Sequence, residues 1–291
     1  MEKVLAVIVT FNPSMGRLSE LINSLVSQDV NVLVVDNNSS NKESLESISE
    51  KVELKLLTQN FGIAFAQNVG IEIAIKKEYE FILFFDQDSN VEAGFVHLMH
   101  ETYCSLSRSD VCCISPRFYN DRYGFYYDSL IINKFGFRKR VNLGDITSPY
   151  EVSLVISSGS FVPVSAIKKI GGMKTNFFID AVDTEWCFRA INLGYKIFVS
   201  DKAIMKHTIG DEVIDLKFKK VSVHSPFRRY YIIRNNFYLL KLKYVPKIFS
   251  LRDICMALAV QILFIISLPN RRKENVKALL NAVKDGAHAK E

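Results

Sequence analysis

The sequence predicts an α/β fold, a mostly parallel Rossmann-like sheet with helices on both faces, followed by a basic helical extension. Three observations carry that prediction. Four short β-rich runs alternate with longer helical patterns in the first hundred residues. Of the 291 residues 48% are hydrophobic, enough to bury one large core and too many for a disordered chain. The charges are also segregated: residues 1–210 carry 21 Lys and Arg against 24 Asp and Glu, whereas 211–291 carry 16 against 7. The expected division is an α/β unit over 1–210 and a helical extension over 211–291.

The strands are expected at 3–10 (KVLAVIVT), 31–36 (NVLVVD), 52–58 (VELKLLT) and 81–86 (FILFFD), with helices near 17–28, 42–49, 64–78 and 93–106. Most of these strands are nearly continuous apolar runs, as strands covered on both faces require. A repeated strand–helix–strand order gives parallel neighbours, and ligands then bind at the carboxyl ends of the strands. Thr10, Asp36, Asn60 and Asp86 close or follow these strands and would gather along one edge. Residues 117–150 break the rhythm with aromatics, glycines and cations and are expected to form short strands and loops. A strand at 152–157 leads into SSGS, a helix near 164–170 follows, and GGMKTNFFIDAVDTEWCFRAINLG turns helical from about Asp183. A last strand at 196–199 precedes MKHTIG and the basic tail. There is no internal repeat.

Five cysteines, with no CxxC pair and set in apolar segments, read as reduced core thiols and point to the cytoplasm. The opening MEKVLAVIVTFNPS lacks a cleavage site and predicts no secretory signal. The tail interleaves cations with aromatics in SPFRRYYIIRNNFYLLKLKYVPK, a composition that suits an anionic membrane surface. No zinc spacing, RNP motif or basic heptad accompanies it, which argues against nucleic acid. The run ICMALAVQILFIISL (254–268) is 15 residues long, roughly 22 Å as helix against a ~30 Å hydrocarbon core, and is expected to dock or lie in the interface rather than span. Lys168, Lys169 and the cations of 134–140 read as solvated faces.

Asp86 and Asp88 flank Gln87 where an apolar strand meets its loop. With Ser89 they can present hard oxygens to Mg²⁺ or Mn²⁺, which in turn grips phosphate. A solvated turn is the ordinary alternative, but two like charges crowded at the end of such a strand raise each other's pKa unless a cation joins them. Asp36 in VVDNNSSN can accept from a base or a ribose, or serve a helix cap or Asx-turn. Thr10 and Asn12 at the neighbouring strand end would complete a nucleoside pocket. Asn60 and Gly62 open the next helix, where glycine permits close backbone approach, and Asn68 lies further along it. Asp183 and Glu185 in AVDTEWCFR either serve the dipole of the helix they open or include a general base. Asp180 adds to the acidity, and Arg189 lies one turn beyond Glu185. His207 can supply an imidazole to the same cation or be a structural residue.

Taken together, VIVTFNPS, VVDNNSSN, QNFGIAFAQNVGI, FFDQDS, ISSGSFVP, FFIDAVDTEWCFRAINLGY and MKHTIG resemble family 2 glycosyltransferases of the GT-A fold, especially bacterial rhamnosyltransferases of surface polysaccharide assembly. The resemblance implies that Asp36 contacts a pyrimidine, that Asp86 and Asp88 are the DxD pair at a metal diphosphate with Gln87 in the donor set, and that Asp183 is the base. It places His207 at the metal, and Ser158, Gly159, Asp180 and Trp186 on the acceptor side. Val182 stands where the familiar base motif has Glu, leaving Asp183 and Glu185 as the carboxylates. The implied partners are a dTDP- or UDP-sugar, a polyprenyl-diphosphate-linked glycan and the inner face of the plasma membrane. Two rivals are a haloacid dehalogenase-like phosphatase, with Asp86 as nucleophile and GDEVID (210–215) as its second acidic motif, and a non-catalytic nucleotide-sugar-binding membrane protein. Nucleotidyl transfer would need a Gly-rich phosphate loop, which VTFNPSMGR lacks.

Overall fold

Along β1 (Val4–Thr10), Leu5 and Val7 enter one apolar layer while Val4, Ala6 and Ile8 enter the other. The two-residue period of a strand thus feeds two cores at once. The same alternation runs through β2 (Asn31–Asp36) and β4 (Phe81–Asp86), where Ile82 and Phe84 oppose Phe81, Leu83 and Phe85. Burying each such side chain contributes about 1.5–3 kcal/mol. The computed structural model describes residues 3–206, 213–216 and 219–288.

Between these strands lie α1 (Met15–Val26), α2 (Lys42–Glu46), β3 (Glu53–Leu56) and α3 (Ile63–Lys76). Next come α4 (Phe95–Leu106), β5 (Val111–Asn120), β6 (Phe125–Tyr126), β7 (Ser129–Ile132), β8 (Arg138–Val141), β9 (Tyr150–Val152) and β10 (Phe161–Pro163). The chain continues through α5 (Val164–Ile170), a 3₁₀ turn at Thr175–Phe177, α6 (Val182–Asn192), β11 (Lys196–Lys206), β12 (Val213–Leu216) and β13 (Lys219–Ser222). It closes with α7 (Pro226–Lys241), α8 (Lys247–Ser267), a 3₁₀ turn at Pro269–Arg271 and α9 (Arg272–His288).

The main sheet runs β3-β2-β1-β4-β10-β5-β11-β9, with β6 beside β5. The pairs β3-β2, β2-β1, β1-β4 and β5-β11 are parallel, whereas β10 is antiparallel to both its neighbours and β9 to β11. This is the mostly parallel, two-sided sheet that the sequence predicts. The order β2-β1-β4 brings Thr10, Asp36 and Asp86 to one edge, with Thr10 opposite Asp36 and Val9 opposite Asp86.

One expected strand is placed differently, and one expected helix is longer than its apolar run. The strand expected over 152–157 is confined to Tyr150–Val152, and the chain instead pairs through β10, which donates and accepts between β4 and β5. The apolar run at 254–268 belongs to a 21-residue helix, about 31 Å long and apolar enough to cross a membrane by length and composition. The extension also joins the main core, because Leu239, Val245 and Phe249 pack in the layer that holds α3, α5 and α6.

Candidate active site

The DxD turn is held from three sides. Phe11 N–H at the end of β1 donates to Gln87 Oε1 at 2.8 Å, Asp86 N–H donates to Ser158 Oγ at 3.2 Å, and Ser158 Oγ meets Ser89 Oγ at 2.8 Å. Ser158 is therefore a buried brace beneath the turn rather than an acceptor contact. Gly159 is spent similarly, its N–H donating to Phe84 O at 2.7 Å. Asp88 is left exposed and Asp86 half-buried. Burial raises the Asp86 carboxyl to about 6, the Asp88 charge adds to the rise, and Arg228 opposes it.

Asp183 stands at the start of α6, where Thr184 N–H donates to its Oδ1 at 2.8 Å. Burial raises this carboxyl to about 6 as well; the N–H groups of Thr184 and Ser157 pull it down, and the charges of Asp180 and Asp86 push it up. The two acidic loops therefore share one electrostatic field. A half-buried carboxylate poised near neutrality is what a general base needs.

The loop that presents Asp183 is unusual: Phe178, Asp180 and Ala181 all have positive φ, which costs non-glycine residues of order 1 kcal/mol or more each. Helix α7 holds it in that shape. Asn235 Nδ2 donates to the carbonyls of Phe177, Ile179 and Asp180, each at 2.8 Å, and Arg234 Nη2 donates to Asn176 O at 2.6 Å. Arg228 adds hydrogen bonds of 3.0–3.2 Å to the Asp180 carboxylate. On the other side the loop presses on Gly62 (φ 87°), where a Cβ would sit 2.5 Å from Phe178 O. Gly62 serves backbone contact, as expected, but with the protein's own loop.

The nucleoside end differs from expectation. Asp36 and Thr10 are fully buried and bonded to one another at 2.8 Å, and Ser39 N–H donates to Asp36 Oδ2 at 2.7 Å. Both oxygens are thus taken by the chain, and Asp36 shapes the Asp36–Ser40 turn instead of offering a free acceptor. Asn12 accepts from Ser40 N–H at 2.8 Å across the same turn. Asn60 Oδ1 receives Gly62 N–H at 2.9 Å, while Asn68 binds both backbone groups of Met173 and fastens α3 to the loop after α5. These asparagines organise the rim from within.

Glu185 and Trp186 are corrected outright. Glu185 is fully buried, accepts from Arg189 Nε and Nη2 at 2.9 and 2.8 Å, and is bonded by Tyr244 Oη. Arg189 in turn donates to Ile170 O and Gly172 O. A carboxylate so enclosed cannot reach a substrate hydroxyl, which leaves Asp183 as the base candidate. Trp186 is also core, with its indole N–H on Gly171 O at 3.0 Å. Glu185→Ala is expected to cost about 3–5 kcal/mol of unfolding free energy in denaturant titration, because it strands the Arg189 charge.

His207 lies outside the described residues. Among the described residues no three His, Cys, Asp or Glu side chains converge. The Asp86–Asp88 pair still fits a divalent cation: two hard carboxylates, of which Asp86 is raised by burial and by the Asp88 charge, are the ligand type that Mg²⁺ or Mn²⁺ takes. Arg228 and Asn235 were missed in the sequence because the stretch FRRYYIIRNN was read as a membrane-facing segment. The Ser225–Pro226 helix start was the available signal, since it sets Arg228, Tyr231 and Asn235 on one face at i, i+3, i+7.

A Rossmann-like sheet whose strand ends present an Asp-Gln-Asp turn and a second carboxylate raised toward neutrality is an arrangement that a sugar-nucleotide-dependent transferase can use. The model of glycosyl transferase family 2 matches residues 5–171, more than half of the chain, and the chain belongs to that family. It is 36% identical over 285 residues to the dTDP-rhamnosyl transferase RfbF of Shigella flexneri, covering 97% of this chain and 95% of the relative. The fold is similar to that of GalNAc-T7 solved with UDP, GalNAc and Mn²⁺ (TM-score 0.60, 14% identity, 92% of this chain and 58% of that one). It is also similar to that of S. aureus TarS 1-349 with UDP-GlcNAc (TM-score 0.55, 19% identity, 98% and 81%). The chain is thus a GT-A-like glycosyltransferase, and the phosphatase and passive-binder readings are set aside.

Proposed function

We propose that the protein is an inverting rhamnosyltransferase that uses dTDP-L-rhamnose and glycosylates a hydroxyl of a polyprenyl-diphosphate-linked glycan during surface polysaccharide assembly. The near full-length relationship to a dTDP-rhamnosyl transferase supports the donor. The single observation that carries the chemistry is the electrostatic coupling of Asp183 to the Asp86–Asp88 turn, the half-buried Asp86 and Asp183 both being raised to about 6.

In this reading Asp183 removes the proton from the acceptor hydroxyl as its oxygen forms a bond to the anomeric carbon. The bond from that carbon to the diphosphate oxygen breaks on the opposite face, and dTDP leaves with the electron pair. A Mg²⁺ or Mn²⁺ held by Asp86 and Asp88 would neutralise the departing diphosphate. Arg228, whose charge already reaches Asp86, is suited to the diphosphate oxygens. Arg228→Ala is expected to raise the donor KM roughly tenfold while Arg228→Lys recovers part of it, read by initial rates against donor concentration. The reaction itself is tested by incubating the protein with dTDP-rhamnose, Mn²⁺ and a lipid-linked acceptor and following dTDP release with mass analysis of the product; no dTDP release with any divalent cation would end the proposal. A lipid acceptor also calls for residence on the cytoplasmic membrane surface, where the basic extension supplies attraction.

A further inference from the structure

We propose that the tip of the β7–β8 hairpin and the outer stripe of α8 together form one docking surface that lies flat on an anionic lipid bilayer. This deepens the membrane reading above by naming the surface, and it brings in a hairpin whose cations looked like an ordinary solvated face.

The hairpin tip is fixed to the start of α8. Gly136 has φ 94°, and a Cβ there would fall 2.7 Å from Phe249 N and 2.9 Å from Pro246 Cβ. Arg138, two residues on, pairs with Asp253 and sets its guanidinium 4.2 Å from the Phe249 ring centre. The flanking Phe135 and Phe137 are each 59% exposed, and exposed Ile248 lies 3.3 Å from where a Cβ on Gly136 would sit. From there Ile248, Leu251, Cys255, Ile262 and Ile266 recur at helical spacing along the outer side of α8, ending with Ile266 at 67% exposure. The stripe is about 27 Å long. Two aromatic rings and a row of aliphatics continuous over this length exceed the scattered apolar residues of an ordinary surface.

The inner side of α8 explains why the helix lies on a bilayer rather than crossing it. Gln261 accepts from Arg229 Nε at 2.8 Å and donates to Asn275 O at 2.8 Å, while Arg229 also binds Ala257 O. These groups are buried between α7, α8 and α9, and moving α8 into hydrocarbon would strip them of partners at several kcal/mol each. What α8 keeps available to lipid is its outer side.

The charges select the occupant. Lys134, Lys139 and Arg252 are exposed at the hairpin end, and Arg271, Arg272 and Lys273 at the other, so cations bracket the apolar row at both ends. Anionic headgroups complement that pattern, at about 1 kcal/mol per cation near the surface. A two-fold pairing of chains through the same patch would bring like-charged rims together.

The test uses the full-length protein and sedimentation with vesicles of phosphatidylglycerol and phosphatidylethanolamine, against phosphatidylcholine alone. Binding is expected to be at least tenfold stronger on the anionic vesicles. Two double variants, Phe135→Ser with Phe137→Ser and Ile262→Ser with Ile266→Ser, are each expected to weaken it at least tenfold, with dTDP binding and melting temperature unchanged. Light scattering is expected to give a monomer throughout. Wild-type protein that ignores anionic vesicles, variants that bind as well as wild type, a dimer that the variants dissociate, or protein that stays in membranes after alkaline carbonate extraction would each overturn the proposal. Vesicle binding retained by a protein that transfers no rhamnose would support the surface while removing the rhamnosyl-transfer proposal.

Discussion

Asp183→Asn is expected to lower the turnover of sugar transfer by about 10²–10⁴-fold, the range for loss of a positioned general base, with donor affinity within about twofold of wild type. Asn keeps the acceptor for Thr184 N–H but cannot take a proton. The pH profile gives an independent readout. With its carboxyl at about 6, the wild-type rate should rise as pH passes through 6 and then level, and the variant should lose that limb. Stability should move the opposite way. A carboxyl raised above its ordinary value of about 4 binds its proton more tightly in the folded state. Its contribution is fully present below about pH 4 and is lost as pH rises through 6. The variant should therefore melt higher than wild type at pH 8 while being nearly inactive. Calorimetry and single-turnover assays on the same samples check both, and a fully active Asn variant would remove the base role.

Asp88→Asn is expected to abolish the thermal stabilisation that Mn²⁺ plus dTDP gives the wild-type protein and to cut turnover at least about a hundredfold. Losing a metal that supplies several kcal/mol of charge stabilisation has that effect. Chelation by EDTA should reproduce the loss in the wild type and be reversed by excess Mn²⁺. Asp88 is exposed, so the fold should survive, and the Asp86 carboxyl should fall back from about 6 as its like-charged neighbour disappears. Undiminished stabilisation by Mn²⁺ and dTDP in this variant would count against cation binding at the turn.

The parts that the sequence made legible share a cause: each follows from local pattern. Short, nearly continuous apolar runs give β1, β2 and β4, the turn after Phe85 marks Asp86 and Asp88, and the acidic start of α6 marks Asp183. What escaped depends on contacts between distant residues. Asp36 looked like a free acceptor until Thr10 and Ser39 closed around it. Glu185 sits two residues from Asp183 but on the far side of the same helix, where Arg189 and Tyr244 enclose it. Ser158 was assigned to the acceptor although it lies under the DxD turn, a contact across more than 70 residues that only the β10 pairing creates. Arg228 escaped for a compositional reason, since a cation among aromatics suggests a surface before it suggests a phosphate.

The left-handed run at Phe178, Asp180 and Ala181 is kept in place by one amide, Asn235, that reaches three carbonyls from α7. Loss of that amide would relax the segment and free Asp183 to move away from Asp86 while leaving Asp86, Asp88, Asp180 and Asp183 themselves in the chain. The placement of Asp183 in this chain thus depends on a helical residue more than fifty positions downstream of the loop it fastens.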